Sequence, residues 1–147
     1  MITKLYLDLL QIIFNKLDFL SQIRFRQVCK YFYNDLQVID FYNIAYKFTL
    51  KLTDDILKNY PNIKLLNSYN NPNIKKVNQF LKNLKILDSS YNSGITYFDL
   101  IGLDLSELNV QGNKNIRNIN HLKNLKVLNC AFDSGIRYKD LLGLNLI

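Results

Sequence analysis

Five side-chain positions recur in phase four times between residues 63 and 136, and nothing else in the sequence restricts the fold as much. The copies are Ile63, Leu66, Ser68, Asn71, Ile74; then Leu84, Leu87, Ser89, Asn92, Ile95. They continue as Leu105, Leu108, Val110, Asn113, Ile116, and as Leu125, Leu128, Cys130, Asp133, Ile136. Their first residues stand 21, 21 and 20 positions apart. A longer period lies over this one. Residues 82–106 align without gaps to residues 123–147, with 14 of 25 identical, so odd and even copies are of two types. A degenerate earlier copy is expected to begin near Phe41, with Ile44 and Leu52 in phase. One such unit cannot bury its apolar side alone, but stacked units share a continuous core.

Within each copy the residues after the first Leu alternate, as in a short strand over 86–90 or 127–131. Leu87 and Ser89 are expected to point inward, and Ile86, Asp88 and Ser90 outward. The small residues Ser68, Ser89 and Cys130 suit a narrow interior slot. The ninth-position Asn suits an interior turn, because its amide both donates and accepts; Asp133 at that place can only accept when ionised. Gly94 and Gly135 fit an adjoining turn with positive φ. Stacking then predicts parallel outward rows: Leu65, Ile86, Glu107 and Val127, beside Asn67, Asp88, Asn109 and Asn129. Ser90 and Gln111 lie further along, with aromatics at Tyr69, Tyr91 and Phe132. Apolar and aromatic anchors among amides suit a protein partner.

Over residues 41–147 these motifs resemble the leucine-rich-repeat family. The resemblance implies an α+β solenoid with a parallel sheet on its concave face, and copies starting near 41, 63, 84, 105 and 125. The segment Leu144-Asn145-Leu146-Ile147 aligns with 103–106, so a further strand begins there and an open apolar end is expected.

Residues 1–40 have a different pattern. Leu9, Leu10, Ile13, Phe14 and Leu17 keep helical spacing, and so do Phe25, Val28, Cys29 and Phe32 after a break at 18–21. Ser21 is the expected N-cap of the second helix. Forty residues of short helices bury too little surface to stand alone, so they must lean on the repeats, on a partner, or on both. Residues 4–40 resemble the F-box family, whose pattern is roughly LPxExLxxIxxxL, a loop, then LxxLRxVCKxW. This chain has Leu5-Tyr6-Leu7-Asp8-Leu9-Leu10, Ile13, Leu17, then Ile23-Arg24-Phe25-Arg26-Gln27-Val28-Cys29-Lys30, and Phe32. Tyr6 stands for the family's proline and Phe32 for its tryptophan. The resemblance implies docking on a Skp-type adaptor of a cullin-based ubiquitin ligase, while the repeats hold an unidentified target protein. The positions matching the docking surface are Leu5, Tyr6, Leu9, Ile13, Leu17, Ile23, Val28, Cys29 and Phe32. The alternative is a helical cap on a repeat scaffold with no ubiquitin role.

The net charge of +7 raises a nucleic-acid reading. The basic residues are scattered, with Lys75-Lys76 the only adjacent pair, and a solvated repeat surface explains them better than a phosphate-tracking groove. Cys29 and Cys130 have no CxxC spacing and are expected to be reduced, mostly buried thiols of a cytoplasmic or nuclear protein. The apolar stretch 5–14 is broken by Asp8 and Gln11 and has no small-residue cleavage site, and no run approaches membrane-spanning length. The single histidine, His121, has no partners at catalytic or zinc spacing, and no phosphate loop or nucleophile elbow occurs. Asp54-Asp55 is expected to open a short helix. The chain is therefore expected to be a binding protein without cofactor, metal or catalytic residues.

Overall fold

The computed structural model describes residues 4–147, with side chains from Tyr6 onward. Three helices come first: α1 (Lys4–Phe14), α2 (Phe19–Gln27) and α3 (Lys30–Asp35). α1 contains no Gly or Pro and ends in a tight turn, where Lys16 and Leu17 donate to Ile13 and Phe14. The cap of α2 differs from expectation. Asp18 is the N-cap, and Ser21 is its donor, through the N–H at 3.1 Å and the hydroxyl at 2.5 Å. A carboxylate accepts both and faces the positive helix end, which a serine there could not match. The Ser21 hydroxyl first, then its N–H, hold the Asp18 carboxyl below its ordinary pKa.

Five parallel strands follow in chain order: β1 (Asp40–Phe41), β2 (Leu65–Asn67), β3 (Ile86–Asp88), β4 (Glu107–Asn109) and β5 (Val127–Asn129). Their register reproduces the sequence period. Phe41 lies opposite Leu66, Leu66 opposite Leu87, Leu87 opposite Leu108 and Leu108 opposite Leu128. The first copy is thus in phase with Val38 rather than Phe41, and β1 begins inside the stretch assigned to the helical module. Return segments carry α4 (Tyr46–Thr49), α5 (Asp54–Leu57), α6 (Val77–Phe80) and two 3₁₀ turns, Tyr97–Leu100 and Tyr138–Leu141. α5 opens on Asp54-Asp55 behind the cap Thr53, as its acidic pair predicts.

One apolar core runs from Phe14 through Phe41, Leu66, Leu87 and Leu108 to Leu125. Each fully enclosed Leu or Ile contributes about 1.5–3 kcal/mol. The helices share this core. Phe19 meets Phe41 edge-on at 5.0 Å, Phe25 stacks on Phe32 at 4.9 Å, and Gln11 and Gln37 exchange hydrogen bonds of 2.8 and 2.9 Å.

The strands stop at three residues, short of 86–90 and 127–131, and the reason is repeated in each. The last residue of the strand accepts from the N–H two positions on: Asn67 from Tyr69, Asp88 from Ser90, Asn109 from Gln111 and Asn129 from Ala131. This local bond competes with the ladder and turns the chain. Three residues later each of the last four copies takes a left-handed backbone, at Asn70, Tyr91, Gly112 and Phe132. Asn and Gly accept that conformation easily. Tyr91 and Phe132, in the even copies, are held there at a cost of about 1–3 kcal/mol each.

The ninth position divides the copies again. Asn71 and Asn113 are buried and reach the previous turn of chain: Asn71 donates to Thr49 and Leu52 carbonyls, Asn113 to those of Ser89 and Ile95. Asn92 and Asp133 are exposed instead, and Ser93 and Ser134 follow them inward. Asp133 pairs with Lys114 at 2.6 Å in full solvent, where such a pair contributes little. Ser68 and Ser89 fill the interior slot, whereas Cys130 in the last copy is only half-buried. Cys29 is exposed rather than buried, because it sits in extended backbone at the start of α3.

Gly94 and Gly135 are glycine for a reason other than positive φ. A Cβ on Gly94 would lie 2.4 Å from the Pro72 carbonyl oxygen, and one on Gly135 would lie 2.5 Å from that of Ile116. Their N–H groups donate to Asn71 and Asn113 at 3.0 Å. Successive turns of chain touch here backbone to backbone.

Two consequences are measurable by urea unfolding. Asn113→Ala, which deprives two buried carbonyls of their donor, is expected to cost about 1–3 kcal/mol, while Asn92→Ala changes stability by less than about 0.5 kcal/mol. Equal costs would show that the two asparagines do the same work. Gly94→Ala is expected to cost about 1–3 kcal/mol through forced separation of adjacent turns, and an unchanged midpoint would contradict the close approach.

Candidate functional site

Two surfaces carry the residues singled out in the sequence. The first belongs to the helices. α1 is apolar on two sides. Leu10 and Phe14 face the core, and Leu17 continues that side beyond the helix end. Tyr6, Leu9 and Ile13 face solvent at 53%, 52% and 60% exposure, one turn apart. Ile12 joins them, a residue the sequence reading passed over although it stands three positions after Leu9. At the end of α2, Val28 is 70% exposed and Cys29 is exposed beside it. Ile23 and Phe32 are half-buried against the core and, with Leu17, serve packing. Leu5 lies outside the residues whose side chains are described. Four large apolar side chains in solvent on one short helix exceed what scattered surface exposure accounts for.

The second surface is the outer side of the sheet. Its third-position row, Leu65, Ile86, Glu107 and Val127, passes from half-buried to exposed along the chain. The next row differs from the outward reading. Asp88 is only 9% exposed and Ser90 is buried. The four side chains Asn67, Asp88, Asn109 and Asn129 already hold backbone N–H groups, and the row is cross-linked: Asn109 donates to Asp88 at 3.0 Å and Asn129 to Gln111 at 3.3 Å. These amides are committed to shaping the turn.

An aromatic row borders them. Tyr46, Tyr69 and Tyr91 contact edge-to-face at 5.6 and 5.3 Å, Gln111 donates to the Tyr91 hydroxyl at 2.8 Å, and Phe132 stands 73% exposed. Gly112 leaves space for the Tyr91 ring, 3.3 Å from where its Cβ would be.

Tyr42 is a residue that no pattern in the sequence marked. It follows β1, yet it lines one hollow of about 190 Å³ together with Ile86, Glu107, Asn109, Val127 and Asn129. Strands spaced about 4.8 Å apart would set β1 and β5 roughly 19 Å apart in a flat sheet. A hollow shared by Tyr42 and Val127 therefore means that the outer face curves inward. Burial first, then the charges of Asp88 and Glu107, push the Tyr42 phenol above its ordinary pKa. His121 lies elsewhere, exposed on a return segment, with its ring nitrogens near the Asn118 and Leu100 carbonyls.

No helix of the described residues is long and apolar enough to cross a membrane. No curated protein matches the chain, and no solved structure does. The helical part is identified by its sequence family: residues 2–34 match the F-box domain model, and this segment of the chain is an F-box domain.

Proposed function

We propose that the chain is a substrate-recruiting subunit of an SCF-type ubiquitin ligase. Its F-box domain docks on a Skp-type adaptor, and the segment from Val38 onward is a leucine-rich-repeat solenoid that holds the target protein. The chain recruits and does not catalyse, and it works in the cytoplasm or nucleus, where cullin ligases act. F-box domains bind Skp-type adaptors, which gives the domain match its functional content. The observation that carries the docking role is the second apolar side of α1. Tyr6, Leu9, Ile12 and Ile13 are not needed for the chain's own core, and an apolar stripe left in water is the feature a partner would cover. Val28 and Cys29 extend the docking set; Leu17, Ile23 and Phe32 act indirectly, by holding the helices in place.

The repeat reading rests on in-phase residues stacked in register with parallel strands. For target binding the best-placed residues are Leu65, Ile86, Glu107 and Val127, with Tyr69, Tyr91 and Phe132 along the border.

A second reading has an observation of its own. The helices cover the first strand through Phe14, Phe19 and Phe41, so they serve as an end cap whether or not an adaptor binds. Capture by a purified Skp-type adaptor separates the two. Ile13→Asp and Val28→Asp alter side chains already in water and are expected to leave urea stability within about 1 kcal/mol. Each is expected to weaken adaptor binding by about 2 kcal/mol or more, roughly thirtyfold. A folded wild-type chain that the adaptor fails to capture would leave only the cap. Wild-type affinity in both variants would remove α1 and Val28 from the docking surface.

A further inference from the structure

Resting on the proposal that the outer sheet face holds a target, we propose that the hollow between Tyr42, Glu107 and Val127 receives one cationic side chain, an arginine or lysine, of an extended target segment. Size limits the occupant first. Pockets for small-molecule ligands run to about 300–1,000 Å³, and this one is about 190 Å³, room for a single long side chain. Its lining fits an amphipathic one. Ile86 and Val127 offer apolar surface to a methylene stem, and the Glu107 carboxylate, with Tyr42 in the same lining, offers an acceptor to the head.

Charge decides its sign. Among the described residues, no Lys or Arg side chain lines the hollow. None of the ion pairs among the described residues, Lys58–Asp55, Lys85–Asp104 and Lys114–Asp133, involves Glu107 or Asp88. Asp88, nine-tenths buried beside Asn109 on the neighbouring strand and next to the hollow's lining, is held by the neutral donors Ser90 and Asn109. Glu107 is the one charged side chain of the lining, and charge complementarity favours a partner cation beside it. Burial is the main cause of the raised pKa of Tyr42, and the charges of Asp88 and Glu107 add to it.

The rest of the chain narrows the target further. With a net charge of +7, the protein repels broadly basic partners at long range, and screening confines the field of Glu107 and Asp88 to about 8 Å. The recognised cation is therefore an isolated one in a segment that is otherwise neutral or acidic.

The test uses the full chain and two short probes, acetyl-Ala-Arg-Ala-amide and its neutral citrulline counterpart, titrated while the Val127 methyl and the Asn109 and Asn129 side-chain amide NMR signals are followed. The arginine peptide is expected to move these signals together, and the citrulline peptide to bind about tenfold more weakly. Glu107→Gln is expected to abolish that difference while leaving the remaining spectrum unchanged. Equal binding of the two peptides, no response to the arginine peptide, or full discrimination retained in Glu107→Gln would each overturn the assignment. The same wild-type sample is offered to the Skp-type adaptor. A missing arginine response with adaptor capture intact fails this inference alone, and a lost capture fails the docking proposal alone.

Discussion

The contact on which the rest of this structure depends is the approach of one turn of chain to the next at Gly94 and Gly135. There the backbone comes so near the preceding turn that a methyl group would overlap a carbonyl oxygen. That spacing lets the Gly94 and Gly135 N–H groups bond to Asn71 and Asn113, and those two asparagines reach back in turn to the carbonyls behind them. Buried backbone groups are expensive to leave unpaired. The alternation of an Asn turn with a Gly turn satisfies them across the interior, and the column Phe41, Leu66, Leu87, Leu108 fills the space that results.

The same economy governs the outer face. A strand of three residues offers few side chains, and one from each is spent on bending the chain. Asn67, Asp88, Asn109 and Asn129 therefore define the shape of the surface more than its chemistry. What remains for a partner is the third-position row and the aromatic border. In that border two of the side chains, Tyr91 and Phe132, sit on left-handed backbone that Asn or Gly would occupy without strain. Asn70 and Gly112 do so in the alternate copies. The strain at Tyr91 is partly offset by its contact with Tyr69 and its hydrogen bond from Gln111. Phe132 has no such aromatic neighbour among the described residues and stands in water.

Periodicity made the column and the register legible, because a side chain that must pack on its own repeat has to recur in phase. It said less about positions where two physical roles share one residue type. Asn92 and Asn113 have the same identity and the same phase, yet one is in solvent and the other in the core, since the route of the backbone and not the amide decides which turns inward. The fifth-position asparagines looked like recognition residues because an amide that grips a backbone N–H is, in a string of letters, the same as one that grips a partner. The glycines were legible as necessary but not for the right cause: crowding between turns leaves no local signature, whereas positive φ does. Tyr42 could not be found at all. It reaches Glu107 and Val127 only because the sheet curves, and curvature is a property of the whole stack.

The join between the helices and the sheet bears on how a recruiter could work. A target held on the sheet is presented to a ligase only if its position is fixed relative to the docking helix. Flexible linkage would let the target sample a volume instead of a place. Here no linker intervenes. The Gln11–Gln37 pair ties α1 to the approach of β1, Phe14 and Phe41 share one core, and Arg26 lies over the rings of Tyr33 and Tyr60 at 4.8 and 5.7 Å. The inner side of α1 is consumed in making this join, which is why its outer side, apolar for no internal purpose, is the part of the helix left to meet something else.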